Sequence, residues 1–140
     1  MYGGIKINFF DFIKKFPSET DIINLYIGIR YNGKVVCSHC GSDKVSRRIH
    51  NPKFFQCNNC NNSFSIFKGT IFENTTTDLR KWLYVGTRFF LNNMTGISAT
   101  KIQMEIDVTY KTAWRIVKQI RESVDDLKNK DFFKAVAGAL

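Results

Sequence analysis

The chain has 140 residues, 44% of them apolar, and a net charge of +9, which suits one domain or two very small ones. No apolar run reaches the ~18 residues that span a bilayer. The N-terminal run from Met1 to Phe16 contains Asp11 and no small-residue cleavage site, so a secretory leader is not expected. These features predict an intracellular protein, of cytoplasm and nucleoid or of a nucleus, with no membrane partner.

The charge is uneven. Residues 1–30 hold four Lys/Arg against three Asp/Glu, residues 31–75 six against two, and residues 76–140 eleven against seven. The middle and the end therefore carry the positive field, which suits nucleic acid or an anionic surface. A merely solvated basic surface is the plain alternative. Thirteen phenylalanines point to small cores filled by few large side chains. Such cores are marginal, and a structural metal would reinforce them.

In chain order, Ile5, Phe9, Phe12, Ile13 and Phe16 recur at helical spacing, and Pro17 ends that helix. Ser18 can cap a second helix, with Glu19 and Asp21 in its first turn and Ile22, Ile23, Tyr26 and Ile27 as its apolar face. Asn32-Gly33 signals a turn. Val35 and Val36 then predict a strand leading to the first cysteine pair. Phe54-Phe55-Gln56 and Phe64-Ser65-Ile66 predict further short strands, and Lys68-Gly69 a turn. Thr77 or Asp78 caps a helix whose stripe is Leu79, Trp82, Leu83, Gly86 and Phe90. Asn92-Asn93 and Gly96 interrupt it. The end of the chain, 129–140, mixes apolar and small residues and reads as a fraying tail.

The strongest chemical signal is Cys37-x-x-Cys40 and Cys57-x-x-Cys60, with sixteen residues between the pairs. Two intervening residues let one tight turn aim both sulfurs at one metal, and two such knuckles complete a tetrahedron with sulfurs ~2.3 Å from zinc. Four thiolates leave no place for a water, so one structural zinc is expected and no catalytic metal. Gly41 and Asn61 follow the pairs and tolerate left-handed backbone. His39 or His50 could replace a cysteine, yet four well-spaced cysteines leave no vacancy. Disulfides, free thiols or a redox pair remain the alternatives. Lys44, Arg47, Arg48 and Lys53 lie between the knuckles, where they could offset the charge of a four-thiolate site or reach phosphates.

A second signal spans residues 98–124. Ser98 caps a helix with Ile102 and Ile106 facing inward, Asp107 sits at a turn that wants a left-handed residue, and Val108 is buried behind it. Thr109 caps a second helix. At ~100° per residue, Lys111, Arg115 and Lys118 fall within about 60° of one another, opposite Ala113, Ile116, Val117, Ile120, Val124 and Leu127. A recognition helix needs this division: one face buried on its scaffold, the other free for the major groove. Thr109, Tyr110 and Thr112 could reach base edges or phosphates, and Lys111, Arg115 and Lys118 could neutralise phosphates or read guanine. Trp114 lies near the basic side, where it either covers the helix flank or stacks on DNA. An ordinary amphipathic surface helix is the competing reading.

Several motifs in this order resemble one family. Cys37-Ser38-His39-Cys40-Gly41-Ser42, Phe55-Gln56-Cys57-Asn58-Asn59-Cys60, Phe64-Ser65, Gly69-Thr70-Ile71-Phe72-Glu73 and Leu79-x-x-Trp82 resemble the zinc-ribbon region of insertion-sequence DDE transposases related to eukaryotic Merlin elements. Gly96-Ile97-Ser98-Ala99, Val108-x-Tyr110-Lys111-Thr112-Ala113-Trp114 and Ile120-Arg121 are similar to the helix-turn-helix that follows in those proteins. The Phe16-Pro17 segment resembles their N-terminus, so the likeness covers residues 9–124. Ser38, Lys68 and Asp107 depart from the usual proline, threonine and glycine. The resemblance implies binding of terminal inverted repeats. Family members continue into a nuclease-like domain with an Asp-Asp-Glu metal site. Asp125-Asp126 sit on an extension of the recognition helix, not on a strand, and are not read as catalytic.

The expected fold is α+β, mainly α: a small β zinc ribbon flanked by N-terminal helices and a C-terminal three-helix helix-turn-helix unit. Its expected divisions are 1–33, 34–75, 76–128 and a 129–140 tail. The expected function is zinc-dependent binding of double-stranded DNA, without a catalytic domain in this chain. A homodimer or a catalytic transposase chain is the expected protein partner. The alternatives are a truncated transposase that acts with a catalytic domain elsewhere, a zinc-ribbon protein-interaction module, or a domesticated transcription regulator.

Overall fold

A computed structural model describes residues 8–91, 97–123 and 127–138. Among them run α1 (Phe9–Lys15), α2 (Glu19–Tyr31), β1 (Val45–Arg47), β2 (Phe54–Cys57), β3 (Ser63–Ser65), α3 (Leu79–Leu91), α4 (Ala99–Ile106), α5 (Tyr110–Ser123) and α6 (Leu127–Gly138). The fold is α+β and mainly helical, as expected. None of these helices is long and apolar enough to cross a membrane. The chain forms two compact units: residues 19–75, and residues 1–18 with 76–140. α2 therefore groups with the strands, and α1 with the later helices.

In the first unit, the three strands form an antiparallel sheet in the order β1-β2-β3, with Val45 opposite Cys57 and Phe55 opposite Phe64. Side chains alternate along a strand, and β2 obeys this: Phe55 and Cys57 are buried while Phe54 and Gln56 are exposed. α2 buries the four residues expected of it, Ile22, Ile23, Tyr26 and Ile27. The Tyr26 ring lies 4.7 Å from that of Phe67, which meets Phe72 edge-on at 5.7 Å. An ion pair of 3.2 Å from Lys53 to Glu19 and a 3.0 Å hydrogen bond from Arg47 to Asn24 tie α2 to the strands. Asn32 and Gly33 take positive φ at the expected turn.

The strand expected at Val35 and Val36 does not form. Residues 34–37 join no strand among the described residues, and the Cys37 amide bonds back across the knuckle to the Ser42 carbonyl at 2.8 Å. Val35 is buried and Val36 exposed, so the apolar pair signals partial burial without a ladder.

The helical unit is organised by α3. Asp78 caps it by accepting from the Arg80 amide at 2.8 Å, and Arg80 also donates to the Pro17 carbonyl at 2.8 Å. The expected stripe is buried except at Phe90, which is half-buried. Burial extends much further, to Tyr84, Val85, Thr87 and Phe89 as well. A helix covered on most sides is a core element, not a surface one. α1 covers part of it: Phe9 and Phe12 meet Tyr84 edge-on at 5.4 and 5.7 Å. The Tyr84 hydroxyl donates to Glu105 of α4 at 2.9 Å, and Arg88 pairs with the same carboxylate. Burial pushes the Tyr84 phenol up to about 12, with the Glu105 carboxylate adding to the rise.

The fraying tail is also corrected. Residues 127–138 form α6, in which Phe132, Phe133 and Val136 are buried. The apolar and small residues of this segment are there to pack on α3. Ile5, the Asn92-Asn93 and Gly96 break, Val124 and Asp125-Asp126 lie outside the described residues.

Gly86 shows how α6 reaches α3. A β-carbon placed there would lie 2.2 Å from the Phe133 ring, and Phe133 is itself fully buried. The ring can move only by repacking the interface. Gly86→Ala should therefore cost about 1–3 kcal/mol of stability, read as a lowered thermal midpoint. Phe133→Leu in the same chain should recover part of the loss. A midpoint unchanged by Gly86→Ala would show that α6 does not press on α3.

Candidate functional site

The two cysteine pairs sit on two copies of one local turn. In the first, the Cys37 amide donates to Ser42 and the Gly41 amide to Cys37 at 2.8 and 2.9 Å. In the second, the Cys57 amide donates to Asn62 and the Asn61 amide to Cys57 at 2.9 and 3.0 Å. Each closes through a left-handed residue, Gly41 at φ 76° and Asn61 at φ 62°, the residue types that adopt this region at least cost. Backbone pairing of Val45 with Cys57 and a 2.8 Å bond from the Asn58 amide to Lys44 set the knuckles side by side.

The four sulfurs all lie within 4.8 Å of one another. Cys37 and Cys60 are 3.7 Å apart, and Cys40 and Cys57 3.6 Å. A tetrahedron with ~2.3 Å zinc–sulfur bonds has edges of roughly 3.8 Å, so the spacing fits one zinc ion held by four thiolates. All four coordination positions are filled by protein, which makes the centre structural. Among the described residues His39 and His50 stand outside this cluster, and both are exposed.

Donors turned toward the sulfurs favour the charged form that the metal needs. The amides of His39 and Asn59 reach Cys37 and Cys57 at 3.3 and 3.4 Å, and the Asn59 and Asn62 side-chain amides reach Cys40 and Cys60 at 3.7 and 3.4 Å. A hydrogen bond from the Ser42 backbone, helped by Asn59, lowers the Cys40 thiol to about 6. Cys60 is lowered by the Asn62 backbone in the same way. Cys57 moves oppositely. The Cys60 amide lowers it, but burial and the neighbouring thiols push it up to about 11. Four adjacent sulfurs cannot all ionise without a cation between them. Of the asparagines beside the second pair, Asn59 and Asn62 turn their side-chain amides toward sulfurs, an arrangement that cysteine spacing does not signal.

Metal loading therefore carries the fold of the ribbon. Cys57→Ser should abolish stoichiometric zinc by elemental analysis and collapse the amide signals of residues 37–66 in a two-dimensional NMR spectrum. Retained zinc with an intact spectrum would contradict the four-cysteine centre.

The helix-turn-helix segment lies in the helical unit. Ser98 caps α4 by accepting from the Lys101 amide at 3.2 Å, and Ile102 and Ile106 are buried. Asp107 ends α4 at φ 54° and ψ 64°, the left-handed conformation expected. Lys81 of α3 donates to its carbonyl at 3.4 Å. Val108 is half-buried, not buried, because the three-residue turn leaves it at the edge of the core. Thr109 caps α5, accepting from the Thr112 amide at 3.2 Å.

α5 divides as its sequence predicted. Ala113, Ile116, Val117 and Ile120 are buried, while Thr109, Tyr110, Lys111, Arg115 and Lys118 are exposed and Thr112 is half-buried. Trp114 is also exposed, with the Lys118 amine 4.9 Å above its ring. Arg47 and Arg48 stand on the ribbon and are exposed, but each is engaged: Arg47 with Asn24 and over the Phe55 ring at 5.4 Å, Arg48 with Ser63 at 2.7 Å.

An aspartate in left-handed backbone is tolerated, but glycine is more at ease there. Asp107→Gly should raise stability by about 0.5 kcal/mol, read by chemical denaturation. A clear loss would mean that its side chain holds the turn.

Residues 17–63 match the family described as the transposase zinc-ribbon domain. Over 117 residues the chain is 37% identical to an "Uncharacterized protein in transposable element ISH50" of Halobacterium salinarum, a match covering 81% of this chain. The matched region is 38% of that relative's length. No solved structure matches the chain. A four-cysteine zinc centre in a segment that matches transposase zinc ribbons is therefore common ground for any account of function.

Proposed function

We propose that the chain binds double-stranded DNA, with α5 as the helix that enters the major groove and the zinc ribbon as its structural or secondary DNA-contacting companion. The observation that carries this reading is the face of α5 on which Lys111, Arg115 and Lys118 are all exposed, opposite four buried apolar residues. A cationic helix face with the rest of the helix anchored is what groove docking requires. Thr109, Tyr110 and Thr112 at the start of α5 reach base edges or phosphates, and Arg47 and Arg48 add phosphate contacts from the ribbon.

In this reading the chain is the recognition region of an insertion-sequence transposase related to Merlin elements, and its target is the element's terminal inverted repeats. The similarity to a protein of a transposable element supports that target. The 140 residues recognise DNA and do no chemistry. Strand transfer belongs to an Asp-Asp-Glu domain elsewhere in the polypeptide or in a partner chain, and a homodimer would pair two end sequences. We read 76–128 as the DNA-binding division, with 34–75 as the ribbon, and the protein as intracellular.

Binding should fall steeply with salt, because each neutralised phosphate contributes ~0.9 to the slope of log affinity against log salt. Replacing Lys111, Arg115 and Lys118 together by alanine should weaken duplex binding and flatten that slope by roughly 2–3, measured by fluorescence anisotropy over a salt series. Unchanged affinity and slope would remove α5 from the interface. Selection from a random duplex pool should enrich one motif, and a pool without enrichment would reduce the interaction to non-specific charge.

A further inference from the structure

We propose that the groove between the flank of α5 and the start of α4 is a stacking site for an unpaired DNA base. Its aromatic surface is Tyr110 and Trp114, and Lys118 and Arg121 serve the phosphate. This inference rests on the DNA-binding reading of α5 and adds a second kind of nucleotide contact to it.

Tyr110 and Trp114 are exposed by 52% and 49%. Four residues apart on α5, they lie one above the other along the same side of the helix. Large exposed aromatics grouped on one face mark a contact surface. Between them and residues 97–99 lies a groove of about 430 Å³, within the range of roughly 300–1,000 Å³ typical of small-molecule sites. Buried Val117 and Ile97 line its apolar part. The Arg121 guanidinium donates to the Ile97 carbonyl at 3.4 Å and so marks one end.

The charges around the groove select the occupant. Lys118 and Arg121 outnumber Glu122 among its lining residues, and Lys111 and Arg115 adjoin it on α5. A nucleotide matches this arrangement: a flat base to cover the indole and phenol, and an anionic phosphate for the cations. Stacking on aromatic side chains is indifferent to base identity, since every base has a π-face. The Lys118 amine now covers the Trp114 ring at 4.9 Å, and a base that displaces it brings a phosphate for it to meet. An uncharged apolar peptide would bring no anion for either cation.

Position agrees with chemistry. At ~100° per residue, Trp114 lies about 60° around the helix from Lys111. A duplex held on the Lys111 and Arg115 strip would have a strand within reach of the groove. A base inside a paired duplex must first be unstacked, at a cost that vanishes when it is already unpaired. The site should therefore favour frayed, nicked or locally opened DNA over intact duplex.

The test uses the zinc-loaded full chain and two probes: a fully paired duplex, and the same duplex with unpaired thymines at its centre. Trp82 is buried and Trp114 half-exposed, so a nucleotide-dependent change in tryptophan emission reports Trp114. The unpaired probe should quench that emission and bind on the order of tenfold tighter than the paired one. Trp114→Ala should erase this preference and leave paired-duplex affinity in place, while Trp114→Phe should keep most of it. Equal affinity for the two probes with no quenching would overturn the base site and leave the α5 reading standing. Loss of binding to both probes would overturn the two together. Emission that shifts with protein concentration alone would assign the groove to a second copy of the chain and overturn the proposal.

Discussion

Three strands of three, four and three residues present too few ladder bonds to hold a sheet in water, and the convergence of four sulfurs on one zinc is what closes them. From that requirement the rest of the ribbon unit follows. The sulfurs of Cys37 and Cys60 come from positions 23 residues apart and stand 3.7 Å from each other. That approach demands two sharp knuckles, and these demand left-handed backbone at Gly41 and Asn61. The same turns point amides and asparagine side chains at the sulfurs. They also set the β1–β2 register, which places Phe55 and Cys57 inside. A four-thiolate zinc centre carries an excess of two negative charges. The donors turned to its sulfurs are backbone amides and the Asn59 and Asn62 side chains, while Lys53 pairs with Glu19 and Arg48 with Ser63.

The helical unit has a different organising constraint, the burial of α3. Its aromatic and aliphatic residues face several directions, so α1, α5 and α6 each cover part of its surface. A helix in this position leaves its neighbours one face each to bury. For α5 the buried face is Ala113, Ile116, Val117 and Ile120, and the outward face is free for charge. The exposed face of α5 is thus a consequence of packing: the residues that anchor α5 decide which of its other residues meet solvent.

The helices with clean periodicity and a capping residue were legible in the sequence. α2, α4 and α5 lie within a residue of their expected starts, and Asp107 adopts the left-handed turn assigned to it. Local patterns misled where a partner decided the outcome. Val35 and Val36 have strand propensity, but a strand exists only where another backbone lies alongside. In the α6 segment, the described side chains of Phe132, Phe133 and Val136 are buried, Phe133 against the bare backbone of Gly86, a fit that no periodic stripe announces. In the metal centre the ligands were plain from spacing. The Asn59 and Asn62 donors were not, since their role depends on side-chain direction.

The sequence by itself determined the four ligands, the caps of the main helices, the excess of positive charge and its division along α5. Each cysteine pair, each cap and the stripe of α5 is written in residues fewer than about ten positions apart, where backbone geometry alone fixes who meets whom. The meeting of the two pairs, across up to 23 residues, was legible from the spacing that zinc sites use. The tertiary structure decided that α1 and α2 serve different units, that α6 packs through Phe133 onto a glycine, and that Trp114 borders an open groove. Those outcomes depend on residues far apart in the chain. Their meeting leaves no periodic trace, because it is set by the shape left over once every local element has formed.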